Sequence, residues 1–213
     1  MAMYPGLPLT SAYLEQLPAG LDSYPEAMVK GSFIRAIVKE RPDGFDPSVL
    51  PPELASVFLT PPQVADWVPE VKLVTVMTAQ RDVAFSNDQD HRAFTRHMLS
   101  SILGGPMYRV LFRVISPQWM ANKGEDKWQI MHRGTRRETM ELNDNGNLGR
   151  LHYPQGLFSP MYVDMCAEAI ASVYRLSRAP DPDVRVLEYT PTSSLLEVLY
   201  DQGRPRGESR RTG

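Results

Sequence analysis

The stretch from Lys127 to Tyr200 constrains the fold of this chain more than any other. Thr135 to Leu142 (TRRETMEL) and Leu148 to Tyr153 (LGRLHY) flank the run Asn143-Asp144-Asn145-Gly146. Asn and Gly tolerate the positive φ that tight hairpin turns need, so two runs around such a turn predict a β-hairpin. Lys127 to His132 is expected to add a further strand, with Trp128, Ile130 and His132 on one face. Ser159-Pro160 then has the form of a helix N-cap followed by proline at the first helical position. From Met161 to Arg178, apolar residues including Met165, Cys166, Ala169, Ile170, Val173 and Tyr174 recur at spacings of three and four. They cover more than half the helical circumference, which predicts a long, largely buried helix with Asp164 and Glu168 on its exposed strip. Pro180 and Pro182 stop it. Val184 to Thr190 and Ser193 to Tyr200 alternate as strands. One helix across an antiparallel sheet buries one face of each, giving an α+β layer.

The first 120 residues read as helix-rich. Residues 1–10 are Pro-rich and expected to be flexible until they dock, and Ser11 to Leu17 form a helical turn. Glu26 to Glu40 has helical spacing, with Lys30, Arg35 and Lys39 outside. Short helices are expected from Pro51 to Leu59 and near Val64 to Val68. Glu70 to Phe85 has no clear periodicity and is longer than most strands, so a helix is expected there too. Asn87 to Leu103 is a helix with Ala93, Phe94, His97, Met98, Ser101 and Ile102 on one face. Met107 to Ile115 is apolar apart from Arg109 and Arg113, and Ser116-Pro117 opens a short helix at Trp119. The expected fold class is therefore α+β: a helix-rich N-terminal half packed on an antiparallel sheet with one long buried helix. Residues 11–202 form a single domain, and 203–213, with four arginines and no large apolar side chain, form a disordered basic tail.

At 213 residues the chain suffices for one sizeable core. Lys plus Arg number 23 against 25 Asp plus Glu, so no general electrostatic attraction to nucleic acid or to an anionic membrane is expected. No apolar run approaches the roughly 20 residues of a membrane helix. The first ten residues have neither a basic region nor a long apolar segment, so no secretory signal is expected. Cys166 is the single cysteine, which excludes an internal disulfide framework and favours a cytoplasmic setting.

Chemistry-bearing residues are sparse. His91 and His97 stand six apart, off a common helical face, and no Cys or acidic partner gives zinc-like spacing. His132 and His152 are candidates for a pocket or for ordinary hydrogen-bonded roles. Cys166 in a helix interior reads as a buried structural thiol rather than a nucleophile. The glycines match neither a phosphate loop nor a dinucleotide fingerprint. Asp88 and Asp90 lack the Gly and Glu of a calcium loop and read as a helix N-cap cluster. Arg133, Arg136 and Arg137 form a small basic patch, most simply a solvated strand face. Trp67, Trp119 and Trp128 read as core or pocket walls.

The stretches LPAGLDSYPEAMVKGSFIRAIV, LPPEL, GGPMYRVLFRVISPQW, HRGTRRE, SPMYVDMCAEAIASVY and VRVLEYTPTSSLLEVLY resemble an uncharacterised myxobacterial paralogous family over residues 10–200. That family carries no assigned activity. The order of elements, a helical half followed by hairpin, long helix and terminal strands, is similar to the four-vinyl-reductase and haem–nitric-oxide-binding sensor folds and to related trafficking-complex subunits. That likeness implies a small hydrophobic ligand, haem or a partner protein held between helix and sheet. The cysteine set of the vinyl-reductase type is missing and no histidine is placed as an axial ligand, so no cofactor is expected.

These readings predict a non-catalytic sensor or regulatory module. Its small apolar ligand, or its protein partner, would sit in a helix–sheet cleft walled by Trp128, Met140, His152, Met161, Tyr162, Met165 and Tyr174. Methionine adapts to irregular ligands, although the same residues pack cores. The alternative is a self-associating structural protein, suited by eleven methionines and near-zero net charge. No nucleophile–base pair, metal set or phosphate loop points to an enzyme.

Overall fold

The computed structural model describes residues 4–103, 116–143, 146–177 and 182–200. The apolar run Met107 to Ile115, the Asp144-Asn145 turn and the tail at 203–213 lie outside the described residues. The chain is α+β, with helices first and a four-stranded antiparallel sheet last.

The first described residues are docked. Helix α1 (Pro8–Glu15) starts within the segment expected to be loose, and Leu7 and Thr10 are buried. The cause is tertiary: the Asp82 carboxylate accepts from the Leu9 and Thr10 backbone N–H groups and from Thr10 Oγ1, satisfying donors that an exposed first turn would leave to water. Asp82 belongs to helix α4 (Glu70–Ala84). Val71, Leu73, Val74, Val76, Met77 and Ala79 of α4 are all buried, so the helix is apolar nearly all round and shows no stripe. Helix α3 (Pro52–Leu59) follows its sequence signals, with proline in its first turn.

Three expected elements changed type. Glu26 to Glu40 splits into strand β1 (Met28–Lys30) and helix α2 (Gly31–Lys39). Val64 to Val68 is not a helix; strand β2 (Trp67–Pro69) forms there instead. Lys127 to His132 is not a strand: helix α7 (Gly124–Met131) precedes a two-residue strand β3 (His132–Arg133). One cause serves all three, because β1 pairs antiparallel with both β2 and β3, and Val29 lies opposite Val68 and His132. Backbone partners distant in sequence override local propensity in such short segments. Trp128 and His132, read as strand neighbours, sit one helical turn apart with rings stacked at 3.9 Å. Gly134 has φ +70, and a Cβ there would lie 2.6 Å from the Glu26 carbonyl oxygen, so only glycine fits.

The C-terminal half follows expectation closely. Strands β4 (Arg136–Asn143) and β5 (Gly146–His152) form the hairpin. Strands β6 (Asp183–Tyr189) and β7 (Ser193–Leu199) complete a sheet of order β4–β5–β7–β6. Helix α8 (Pro160–Leu176) packs on one face, its N-terminus capped by Ser159 Oγ, which accepts from the Tyr162 N–H. Leu151, Leu196 and Val198 are buried beneath it. On the opposite face Glu138, Arg150, Leu195 and Glu188 form one cross-strand row, a mostly charged and solvated surface. Helix α5 (Asp88–Leu103) lies against the other side of α8, and helix α6 (Pro117–Asn122), capped by Ser116, leads into α7. Among the described residues no helix is long and apolar enough to cross a membrane.

Candidate functional site

Helix α8 turns a different face to each neighbour, and the residues it offers to α5 form a niche. Met161 and Met165, one turn apart, face His91 and Thr95 of α5, also one turn apart. The space between them is about 10 Å³, close to the room of one water molecule. Two ion pairs close its flanks: Arg92 Nη2 to Asp164 Oδ2 at 2.5 Å and Arg96 Nη2 to Glu168 Oε1 at 2.6 Å. Asp164 and Glu168 are thus clamps to a neighbouring helix rather than a free solvent strip.

Two buried polar atoms on residues of this lining have no partner among the described residues: Nε2 of His91 and Oγ1 of Thr95. His91 is only 2% exposed, and its ring meets Phe85 edge-on at 5.2 Å. Burial, helped by the nearby Arg81 charge, lowers its pKa to about 4, so the imidazole is neutral near pH 7. Burial raises the Asp164 pKa, which Arg92 partly offsets. The capping of α5 sets this presentation: Asn87 Oδ1 accepts from the Asp90 N–H, so the cap is Asn87, and Asp88 and Asp90 occupy the first turn. The buried face of α5 runs through His91, Thr95, Met98 and Leu99, while Ala93 and His97 are exposed. The face expected from sequence was rotated away from the two residues that matter.

A second polar cluster sits deeper. Glu70, fully buried at the start of α4, accepts from Tyr162 OH at 2.9 Å through Oε1. His132 Nδ1 lies 2.9 Å from the same oxygen and donates to it. Oε2 has no partner among the described residues. Burial first, and then the Glu70 charge, push the phenol of Tyr162 and the thiol of Cys166 well above their ordinary pKa values. Cys166 is therefore a protonated, buried thiol. A third cluster lies under the hairpin, where buried Arg137 donates to Asn147 Oδ1 at 3.0 Å and Asn147 Nδ2 donates to Tyr174 OH at 2.9 Å. The three arginines do not form one patch: Arg133 lies over Trp67, Arg136 pairs with Glu138, and Arg137 points inward.

The residues expected to line a helix–sheet cleft are consequently distributed. Met161 and Met165 come together, but against α5 rather than against the sheet. Tyr162 is locked to Glu70, and Tyr174 bonds Asn147 and stacks on Tyr200 at 5.3 Å. Trp128, on α7 rather than a strand, donates from Nε1 to Thr135 Oγ1 and covers His132. Met140 is 51% exposed at the bulge in β4. His152 lies on the sheet face away from α8 and bonds Glu138 at 2.9 Å. Sequence reasoning missed His91, Thr95 and Glu70 as partners of α8. The i, i+4 pair of His91 and Thr95 was the one signal that could have pointed to the niche.

No protein-family model matches the chain, and no curated protein does, so the likeness to an uncharacterised myxobacterial family finds no support. Solved structures do match. An oxygen-binding H-NOX domain related to soluble guanylate cyclases superposes with a TM-score of 0.55 at 12% identity, covering 86% of this chain and 100% of the other. The chain has an H-NOX-like fold. An H-NOX protein variant from K. algicida in its unliganded Fe(II) form gives 0.55 at 10% identity, covering 81% of this chain and 97% of the other. In this H-NOX-like fold the niche lies between α5, from the helical half, and α8, from the sheet layer.

Proposed function

We propose that this chain is a non-catalytic sensor or regulatory module that holds a small ligand between α5 and α8. The observation that carries this reading is a pair of buried polar atoms with no partner among the described residues, His91 Nε2 and Thr95 Oγ1, on residues that line a niche together with Met161 and Met165. Buried polar groups normally have partners, and each exception calls for an explanation; an absent ligand is one. The similarity to oxygen-binding and iron-containing H-NOX proteins supports a ligand-binding role.

Haem itself does not fit the niche as packed. A space of about 10 Å³ falls far short of the roughly 300–1,000 Å³ of pockets for larger ligands. Among the described residues, no group of three or more His, Cys, Asp or Glu could hold a metal. A small apolar ligand larger than a water would need α5 to move off α8, which means breaking the two partly exposed ion pairs. Such pairs contribute about 0–1 kcal/mol each, a modest barrier to opening.

A second reading, self-association or a protein partner, is favoured by the sheet edges. β4 and β6 are its two outer strands, and at their bulges they expose Met140 and, at 53%, Leu187. Unpaired strand edges are templates for pairing. A cytoplasmic setting suits the single buried thiol.

Native purification followed by an absorption spectrum and an intact native mass tests these readings. Added mass that is lost when Met161 and Met165 are both replaced by leucine supports the niche. An intense visible band from a tetrapyrrole would overturn the rejection of haem. A clean multiple of the chain mass, with no addition, would favour self-association.

A further inference from the structure

The donors around the niche have a chemistry of their own. Met161 and Met165, each carrying a thioether sulfur, line it from one turn of α8, and His91 brings an imidazole whose Nε2 has no partner among the described residues. All three are neutral donors. Thr95 Oγ1 adds a neutral oxygen. The anionic oxygens at the rim are already engaged, Asp164 by Arg92 and Glu168 by Arg96. A site with two thioethers and one imidazole is soft, and soft sulfur donors select Cu(I) over hard cations. Neutral donors offset little charge, so a monovalent ion is cheaper to bury there than a divalent one. The space of about 10 Å³ is on the scale of a single ion.

We propose that His91, Met161 and Met165 form a binding site for a soft monovalent metal ion, of the Cu(I) class, bridging α5 and α8. This rests on the niche being the ligand site of the module, and it names the ligand that fits the closed form. Calcium and magnesium are excluded by the scarcity of free oxygen donors. The ion would add a further link between two helices already joined by the Arg92–Asp164 and Arg96–Glu168 pairs, so binding ties the helical half more firmly to the sheet layer. No redox step is involved, because the ion binds in its reduced state.

The purified full-length chain would be titrated anaerobically with Cu(I) in competition with a chromophoric Cu(I) chelator, and separately with Ag(I) as a redox-inert probe. The expected result is one equivalent bound. Ag(I) should shift the ε-methyl NMR resonances of Met161 and Met165 selectively among the eleven methionines. Affinity should fall at least about tenfold, the scale of a disturbed ligand shell, in Met161→Leu/Met165→Leu and in His91→Gln. Leucine replaces methionine at nearly constant volume, so folding is retained and checked by the melting temperature. Cys166→Ser should bind as the parent does. Loss of binding in Cys166→Ser, undiminished binding in the double methionine variant, or no binding at micromolar ion would each overturn the site. If no ion binds while an organic molecule co-purifies at the niche, the metal site falls and the sensor reading stands. If neither binds, both fall.

Discussion

Replacing Tyr162 by phenylalanine removes one hydroxyl from a fully buried cluster and leaves the ring in place. That hydroxyl donates to Glu70 Oε1 at 2.9 Å, on a carboxylate whose other oxygen has no partner among the described residues. After the change, Glu70 keeps His132 Nδ1 as its side-chain donor. A hydrogen bond to a charged group contributes about 1.5–3 kcal/mol, and a buried charge that loses a donor bears the cost of its desolvation. For a chain of this size each kcal/mol moves the melting temperature by about 2–4 °C, so Tyr162→Phe should lower Tm by about 3–12 °C. Urea unfolding followed by circular dichroism measures the same loss as a shift in midpoint with m unchanged. The charge dependence is checked in a Glu70→Gln background. There the acceptor is neutral, and the bond should contribute only about 0.5–1.5 kcal/mol. A Tm within about 1 °C of the parent, below the loss expected here, would refute the reasoning and mean that Glu70 draws its stabilisation from elsewhere. An equal loss in both backgrounds would refute the assignment of charge to Glu70.

Ser159→Ala should cost about 1 kcal/mol through the lost cap on α8, and Ser159→Gly only a few tenths, both read from urea midpoints. Gly134→Ala should destabilise by more than about 1 kcal/mol, since it combines φ +70 with a Cβ 2.6 Å from the Glu26 carbonyl oxygen; a neutral result would contradict the β1–β3 geometry. The hydrogen bond from Tyr4 OH holds the Glu53 carboxyl below its ordinary pKa and helps push Tyr4 itself up to about 12, after burial. A carboxyl depressed in the folded state stabilises above its unfolded pKa and loses that contribution as pH falls through the folded value. Tyr4→Phe should therefore raise the Glu53 pKa in an NMR titration, and the stability gap between variant and parent should close in acid. Cys166, buried and protonated, should resist alkylation in the native chain and react on unfolding; rapid native labelling would contradict its placement.

The C-terminal half was legible because its signals are local. Ser159-Pro160, the proline stops and the run around Asn143 to Gly146 need only neighbours in sequence, and the elements they bound differ from expectation by a residue or two. The fold class followed from the order of those elements. Residues 28–30, 67–69 and 132–133 were not legible, because each forms a strand only by pairing with another segment far along the chain.

The site divides along the same line. The sequence alone determined that Met161 and Met165 share one face of a buried helix, since the 3.6-residue period places residues four apart together. Only the tertiary structure decided what that face meets. Burial periodicity on α5 admits several rotations, and the observed one depends on the Asn87 cap and on the Arg92–Asp164 and Arg96–Glu168 pairs. That rotation brings His91 and Thr95 inward and leaves His97 outside. Glu70 read as one more charge at a helix start, where the dipole favours an acid. Its burial against Tyr162 and His132 joins residues 62 and 92 positions away, a separation over which no local pattern carries information.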